Sequence, residues 1–263
     1  MEHPFTTEEA PVVIVGASIA GLATALSLSS IAGFRQIFVL EKSNDLESPI
    51  QGAAVLLSPN GLKAIRALGG VETLEQVLQE GSHIRGNIML NNNDKNQNGR
   101  VIEDKTLEAT GLPQVLIRWG VLRRIFRRLI DETSGIHVIP NVEATSYRRC
   151  CDGKRIQVFN SRDQVIQFHN EHNRDNTAFL LVAADGVNSC FSKLLYPGNL
   201  KDNGRINIKA VVQKSLFHED GITYSYFHGN LACFAGPAGD DYSYWAISML
   251  SSQENYVDEG TSL

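Results

Sequence analysis

Cysteine is scarce in this chain, no apolar run is long enough to span a membrane, and positive charge is not in excess. The four cysteines, Cys150, Cys151, Cys190 and Cys233, include one adjacent pair and no C-x-x-C. Neither a zinc site nor a disulfide framework is therefore expected, and a reducing compartment fits. About ten largely polar residues precede the first apolar run, too few for a transit peptide, and that run lacks the basic flank and length of a signal or membrane segment. The expectation is a cytoplasmic protein without a stable membrane span. A formal net charge of −5 gives no electrostatic reason to expect nucleic acid or an anionic membrane as partner. A small molecule is the partner expected.

What is present is enough apolar material for a core. With 263 residues, 43% hydrophobic and 20% charged, the chain suits one large domain or two modest ones. "VVIV" at Val12–Val15 reads as a strand buried on both faces, since parallel strands covered by helices need not alternate. Small residues from Ile19 to about Ile31 read as a helix that packs closely on a sheet, stopped by Gly33. "QIFVL", Gln36 to Leu40, is the next strand, so strand, glycine turn, helix and strand fill one βαβ unit.

Further along, Ser58-Pro59 is a cap followed by a first-turn proline, opening a helix that closes at Gly69 or Gly70. A second short helix is expected from Val71 to Gln79, and an exposed loop from Asn91 to Arg100. Between Trp119 and Asp131, Leu122, Ile125, Phe126, Leu129 and Ile130 form one apolar helix face. Arg123, Arg124, Arg127 and Arg128 are placed on the opposite, solvated face. Strands are expected at Ile136 to Ile139, Ala144 to Tyr147, Ile156 to Phe159 and Val165 to Phe168. The segment from His169 to Asn176 reads as a polar turn rather than a metal site. "AFLLVAADG", Ala178 to Gly186, reads as a second buried parallel strand. From about Ile206, four segments alternate apolar with polar or aromatic residues, as antiparallel strands with one solvated face do.

The chemistry concentrates in "GASIAG", Gly16 to Gly21. In a dinucleotide-binding turn the first glycine makes the bend, the second admits the pyrophosphate and the third lets helix and strand pack. Gly16 and Gly21 meet the outer two requirements, while Ser18 stands at the middle one with a hydroxyl that could donate to phosphate. The free N–H groups from Ser18 through Ile19, Ala20 and Gly21 would face an anion at a helix N-terminus. Glu41, just after the second strand and about twenty residues beyond the turn, suits a ribose hydroxyl pair and repels a 2′-phosphate. The turn therefore prefers the adenosine of FAD or NAD.

Several stretches in order resemble the FAD-dependent monooxygenases and aromatic hydroxylases of the p-hydroxybenzoate hydroxylase type. "VVIVGASIAGLATALSL" and "VLEKS" resemble that family's dinucleotide fingerprint and its ribose-binding pair, here Glu41-Lys42. "GAAVLLSPNGLKAIRALG" is similar to its segment behind the flavin. "VLIRWGVLRRIFRRL" places Arg118 where the family contacts FAD. "LLVAADGVNSCFSKLL" is similar to the segment that there serves both FAD and the reduced nicotinamide, placing Asp185 and Gly186 in the site. The sequence departs at Lys42, which keeps a charge but loses an arginine's planar fork, and at Ser192 and Lys193, where an arginine is usual. The Gly-Asp within "AGDDYSYW" precedes an aromatic strand and is not the family's third FAD motif, which lies further along than this chain extends.

The resemblance implies an α/β fold, with a Rossmann-like FAD-binding domain at residues 9–80 and 100–200 and a mixed or antiparallel sheet region for substrate beginning at 205–263. It implies an FAD-dependent monooxygenase that takes NADPH or NADH and O2 and hydroxylates or epoxidises a small aromatic or related organic molecule. The hard chemistry would belong to the cofactor, so no catalytic side chain and no metal ligand is assigned. Two other readings stay open: a non-catalytic FAD-binding fragment or pseudoenzyme, and an NAD-dependent dehydrogenase using the same turn.

Overall fold

The structure is a computed structural model that describes residues 10–45, 53–90, 100–168, 176–198, 203–213, 221–239 and 241–250. In chain order the elements are β1 (Val12–Val15), α1 (Ile19–Ser30), β2 (Ile37–Leu40), β3 (Ala54–Leu57), α2 (Pro59–Glu80), β4 (Ser82–Ile84), β5 (Gly86–Leu90) and β6 (Arg100–Glu103). There follow α3 (Thr106–Thr110), β7 (Gln114–Arg118), α4 (Trp119–Glu132), β8 (Ile136–Ile139), β9 (Ala144–Arg149), β10 (Ile156–Asn160), β11 (Leu180–Ala183) and α5 (Cys190–Leu195). Four long strands close the series, β12 (Arg205–Gln213), β13 (Ile222–His228), β14 (Leu231–Pro237) and β15 (Tyr242–Leu250). All but the last residue of the expected Asn91–Arg100 loop and of the His169–Asn176 turn lie outside the described residues.

The chain forms two compact units whose sequences interleave: Met1–Pro49, Ala64–Leu74 and Gly120–Leu200 make one, and Ile50–Lys63, Glu75–Trp119 and Lys201–Leu263 the other. Unit 1 is built on a parallel sheet ordered β11-β1-β2-β8. Every residue of β1 and β2 is buried, as expected where β-branched strands lie between neighbours with both faces covered. Val13, Val15, Phe38 and Leu40 pack with Val158, Phe168 and Phe191 in one apolar cluster. β11 is parallel to β1 as the sequence implies, but it is only half-buried and Ala183 is exposed. It is the outer strand of the described sheet, so a fully apolar run here marks an edge and not a centre.

The Val165 to Phe168 segment also differs from expectation. It makes a single bridge, Phe159 to Val165, beside the β9–β10 hairpin, and forms no strand. The helical expectation around Gly69-Gly70 is met in an instructive way. α2 runs on to Glu80, broken at Gly70, whose φ of 78° is a left-handed conformation that favours glycine.

Unit 2 holds a six-stranded sheet ordered β12-β15-β14-β13-β5-β6 and a three-stranded one ordered β3-β7-β4. The four C-terminal strands pair antiparallel as their alternation implies, whereas β13 and β5 pair in parallel, making the large sheet mixed. Ile84, Leu116 and Ala238 form its core, with Phe234 and Tyr244 packed against them. Burial raises the Tyr244 phenol above its ordinary pKa. The small strands β3 to β7 carry weak periodicity, which is why the sequence alone did not show them.

Candidate functional site

The four strands of the parallel sheet end along one edge, and the connecting loops there enclose a cleft of about 240 Å³. Its walls include Gly16, Ser18, Ala20, Glu41, Lys42, Asp185 and Gly186, together with Val142, Glu143, Asn188 and Cys190. This is the carboxyl edge of a parallel sheet, where open α/β folds hold ligands. Seven of the ten residues expected at a cofactor site thus line one cavity. Ile19 is the first residue of α1 and Gly21 is buried within it.

Two glycines make the turn. Gly16 has φ 102°, and a Cβ on it would collide with the Ala184 carbonyl. A Cβ on Gly21 would meet the carbonyl of Gly16 itself, so helix and strand approach with no room for a side chain. Ser18 at the middle position has φ −85° and ψ 179°, an extended conformation that any residue adopts. The departure from glycine there carries no backbone strain. As N-cap of α1, Ser18 makes no side-chain hydrogen bond to the helix among the described residues, and its carbonyl accepts the first helical bond from Leu22 N–H. The N–H groups of the first turn are the usual donors for an anion at such a terminus.

Glu41 is anchored at both oxygens: Ala17 N–H donates to Oε2 at 2.7 Å and Ser43 N–H to Oε1 at 2.9 Å. Each carboxylate oxygen keeps further acceptor capacity. Asp185 follows β11, and its Oδ2 accepts from Cys190 N–H at 2.9 Å. Its Oδ1 is buried without a hydrogen-bond partner among the described residues, a vacancy of the kind a ligand donor or water fills. Gly186, at φ 88°, opens the turn that follows.

Arg118 is the last residue of β7 and belongs to unit 2. It is 9% exposed, and its guanidinium lies over the Tyr242 ring, 3.8 Å from the centroid. Arg123 corrects the expectation that all four arginines of α4 face solvent. It is only 5% exposed, its Nε donates to the Ala17 carbonyl at 2.9 Å, and Nη1 reaches the Asp45 carbonyl at 3.4 Å. Arg124 and Arg128 are exposed, and Arg127 pairs with Asp131. The signal was available, because positions 123, 126 and 130 share one helix face and Phe126 and Ile130 are buried. The stem of an arginine can lie on such a face with its head on backbone carbonyls.

No family model matches the chain. In sequence it is 27% identical over 181 residues to the FAD-dependent monooxygenase olcE of Penicillium canescens, covering 68% of this chain and 34% of that protein. In structure it superposes on CtdE solved with FAD and substrate at a TM-score of 0.74, 17% identical, over 93% of this chain and 58% of that one. It likewise superposes on HpxO of Klebsiella pneumoniae, solved with FAD and uric acid, at a TM-score of 0.72, 17% identical, over 97% and 60%. The chain spans about a third of the curated relative's length and about three-fifths of the solved chains. Its α/β architecture is the fold of these FAD-bound proteins, and over 181 residues its sequence resembles an FAD-dependent monooxygenase as its motifs implied.

Proposed function

We propose that this chain is the FAD-holding portion of an FAD-dependent monooxygenase that uses NAD(P)H and O2 to hydroxylate or epoxidise a small aromatic or related organic substrate. The observation that carries the reading is the unit 1 cleft. A glycine turn, a helix N-terminus, an anchored ribose-type carboxylate and an Asp185 oxygen with no donor among the described residues converge in one cavity. Its volume of about 240 Å³ lies just under the ~300–1,000 Å³ of whole-ligand pockets. That suits the adenosine and a phosphate, the half of a dinucleotide that this turn recognises.

The residues divide the work. Backbone N–H groups of Ser18, Ile19, Ala20 and Gly21 receive the pyrophosphate, with the Ser18 hydroxyl as a further donor. Glu41 accepts from the ribose hydroxyl pair, and Lys42 supplies a cation at the cleft wall. Asp185 accepts a donor at its free oxygen, and the Gly186 turn keeps the backbone close. Arg118, held against Tyr242 within unit 2, is assigned to the same cofactor on the family resemblance. When bound, FAD supplies the redox chemistry, accepting reducing equivalents from NAD(P)H and delivering one atom of O2 to the substrate. On the family resemblance, residues 9–80 and 100–200 are assigned to the FAD-binding domain and 205–263 to the start of the substrate region, although 50–63 and 75–119 pack within unit 2. A cytoplasmic location accords with this chemistry, and no helix among the described residues is long and apolar enough to cross a membrane.

The test is NAD(P)H consumption by the FAD-loaded chain with and without small phenols and fused aromatic rings. Stimulation by an aromatic, with an oxygenated product, supports the reading. Flavin uptake with no stimulated consumption favours a non-catalytic FAD-binding protein. A tightly held nicotinamide with no yellow colour points to a dehydrogenase.

A further inference from the structure

We propose that Arg123 is a positioning residue that sets the conformation of the dinucleotide turn and thereby the affinity for FAD. This rests on the FAD reading of the unit 1 cleft. Ala17, inside the turn, is held on both sides: its N–H by Glu41 Oε2 at 2.7 Å and its carbonyl by Arg123 Nε at 2.9 Å. The two peptide planes that flank Ala17 are therefore fixed by one anion and one cation. In a trans peptide the C=O and the following N–H point in opposite directions. Drawing the Ala17 carbonyl onto Arg123 turns the Ser18 N–H away from Arg123, and Ser18 lines the cleft. By the same rule, the Ala17 N–H on Glu41 turns the Gly16 carbonyl the other way, where it packs on Gly21.

The second contact of Arg123, to the Asp45 carbonyl, ties the loop after β2 to the loop after β1. One planar group thus braces the two loops that follow adjacent strands, a geometry suited to the guanidinium fork and not to an ammonium. The cost of keeping a guanidinium 5% exposed is offset by hydrogen bonds to backbone acceptors. Its return is a turn whose donors are aligned before the ligand arrives, which lowers the ordering cost of binding.

The experiment compares the full wild-type chain with Arg123→Met and Arg123→Lys. FAD affinity is read by flavin fluorescence well below every variant's melting point, and amide hydrogen exchange is read without FAD. Arg123→Met is expected to weaken FAD about tenfold, the equivalent of one hydrogen bond to a charged group, with Arg123→Lys in between. Exchange is expected to quicken at Ala17, whose N–H is held by Glu41, while Val12–Val15 keep their protection. Unchanged affinity with unchanged exchange at Ala17 overturns the proposal. So does a loss of protection spread through β1 with FAD affinity intact, which marks a purely structural residue. If the wild type takes up no FAD, the cofactor reading fails, and the exchange data still decide whether Arg123 holds the turn.

Discussion

The two sheets that dominate the units solve different problems. In unit 1 the central strands β1 and β2 have no exposed residue, and what they offer a ligand is backbone at their carboxyl ends. In unit 2 the strands β12 to β15 are long and mostly half-exposed or exposed, and what they offer is side chains. A site made of backbone depends on where Cβ atoms are forbidden, so glycine positions disclose it. A surface made of side chains depends on shape, which leaves a much fainter trace in one sequence.

The sharpest way to break the contrast is Gly21→Val. The added atoms meet the Gly16 carbonyl, and overpacking against backbone costs about 3 kcal/mol or more. FAD uptake is expected to vanish and the melting temperature to fall, both readable on one purified sample. In unit 2 the matching change is Leu116→Ala, at a residue 1% exposed in the core with Ile84 and Ala238. The void is expected to cost about 2–5 kcal/mol, seen in chemical denaturation and as faster amide exchange in β4 and β7.

Smaller effects sharpen the comparison. Glu41→Gln keeps the shape of the side chain but removes the charge behind two backbone hydrogen bonds. FAD affinity is expected to drop about tenfold to a hundredfold, as for about 1.5–3 kcal/mol of charge-assisted bonding, measured by fluorescence titration. Arg118→Met removes the guanidinium from the Tyr242 face and is expected to lower stability by about 0.5–2 kcal/mol, measured by thermal melting.

The smallest effect lies in the β9–β10 turn of unit 1. There the Arg155 side chain first, then the backbone N–H groups of Lys154 and Arg155, pull the Asp152 carboxyl from 3.8 down to about 2. A depressed carboxyl stabilises the folded chain above its unfolded pKa and loses that contribution as pH falls through the folded one. Asp152→Asn is therefore expected to narrow its small stability gap to the wild type as pH drops from 3.8 towards 2. Melting curves across that window check it.

Much of unit 1 was legible because its signals are local. "VVIV" fixed a doubly covered strand, Gly16 and Gly21 fixed the turn, and Glu41 stood in register after β2. The Gly70 break and the four alternating C-terminal strands were legible for the same reason. The half-buried state of β11 was not, since an apolar run does not say how many neighbours a strand has. Val165 to Phe168 read as a strand although only a bridge forms, because its partner positions depend on the hairpin beside it. Arg123 was misread because its type outweighed its spacing, and its true partner, the Ala17 carbonyl, lies 106 residues away in sequence.

The most direct test is the absorbance spectrum of the purified chain after incubation with FAD and removal of free flavin. Near-stoichiometric flavin on the wild type, with none on Gly21→Val, is the result expected if the unit 1 turn holds the cofactor. A colourless wild-type chain that takes up no added FAD would contradict it.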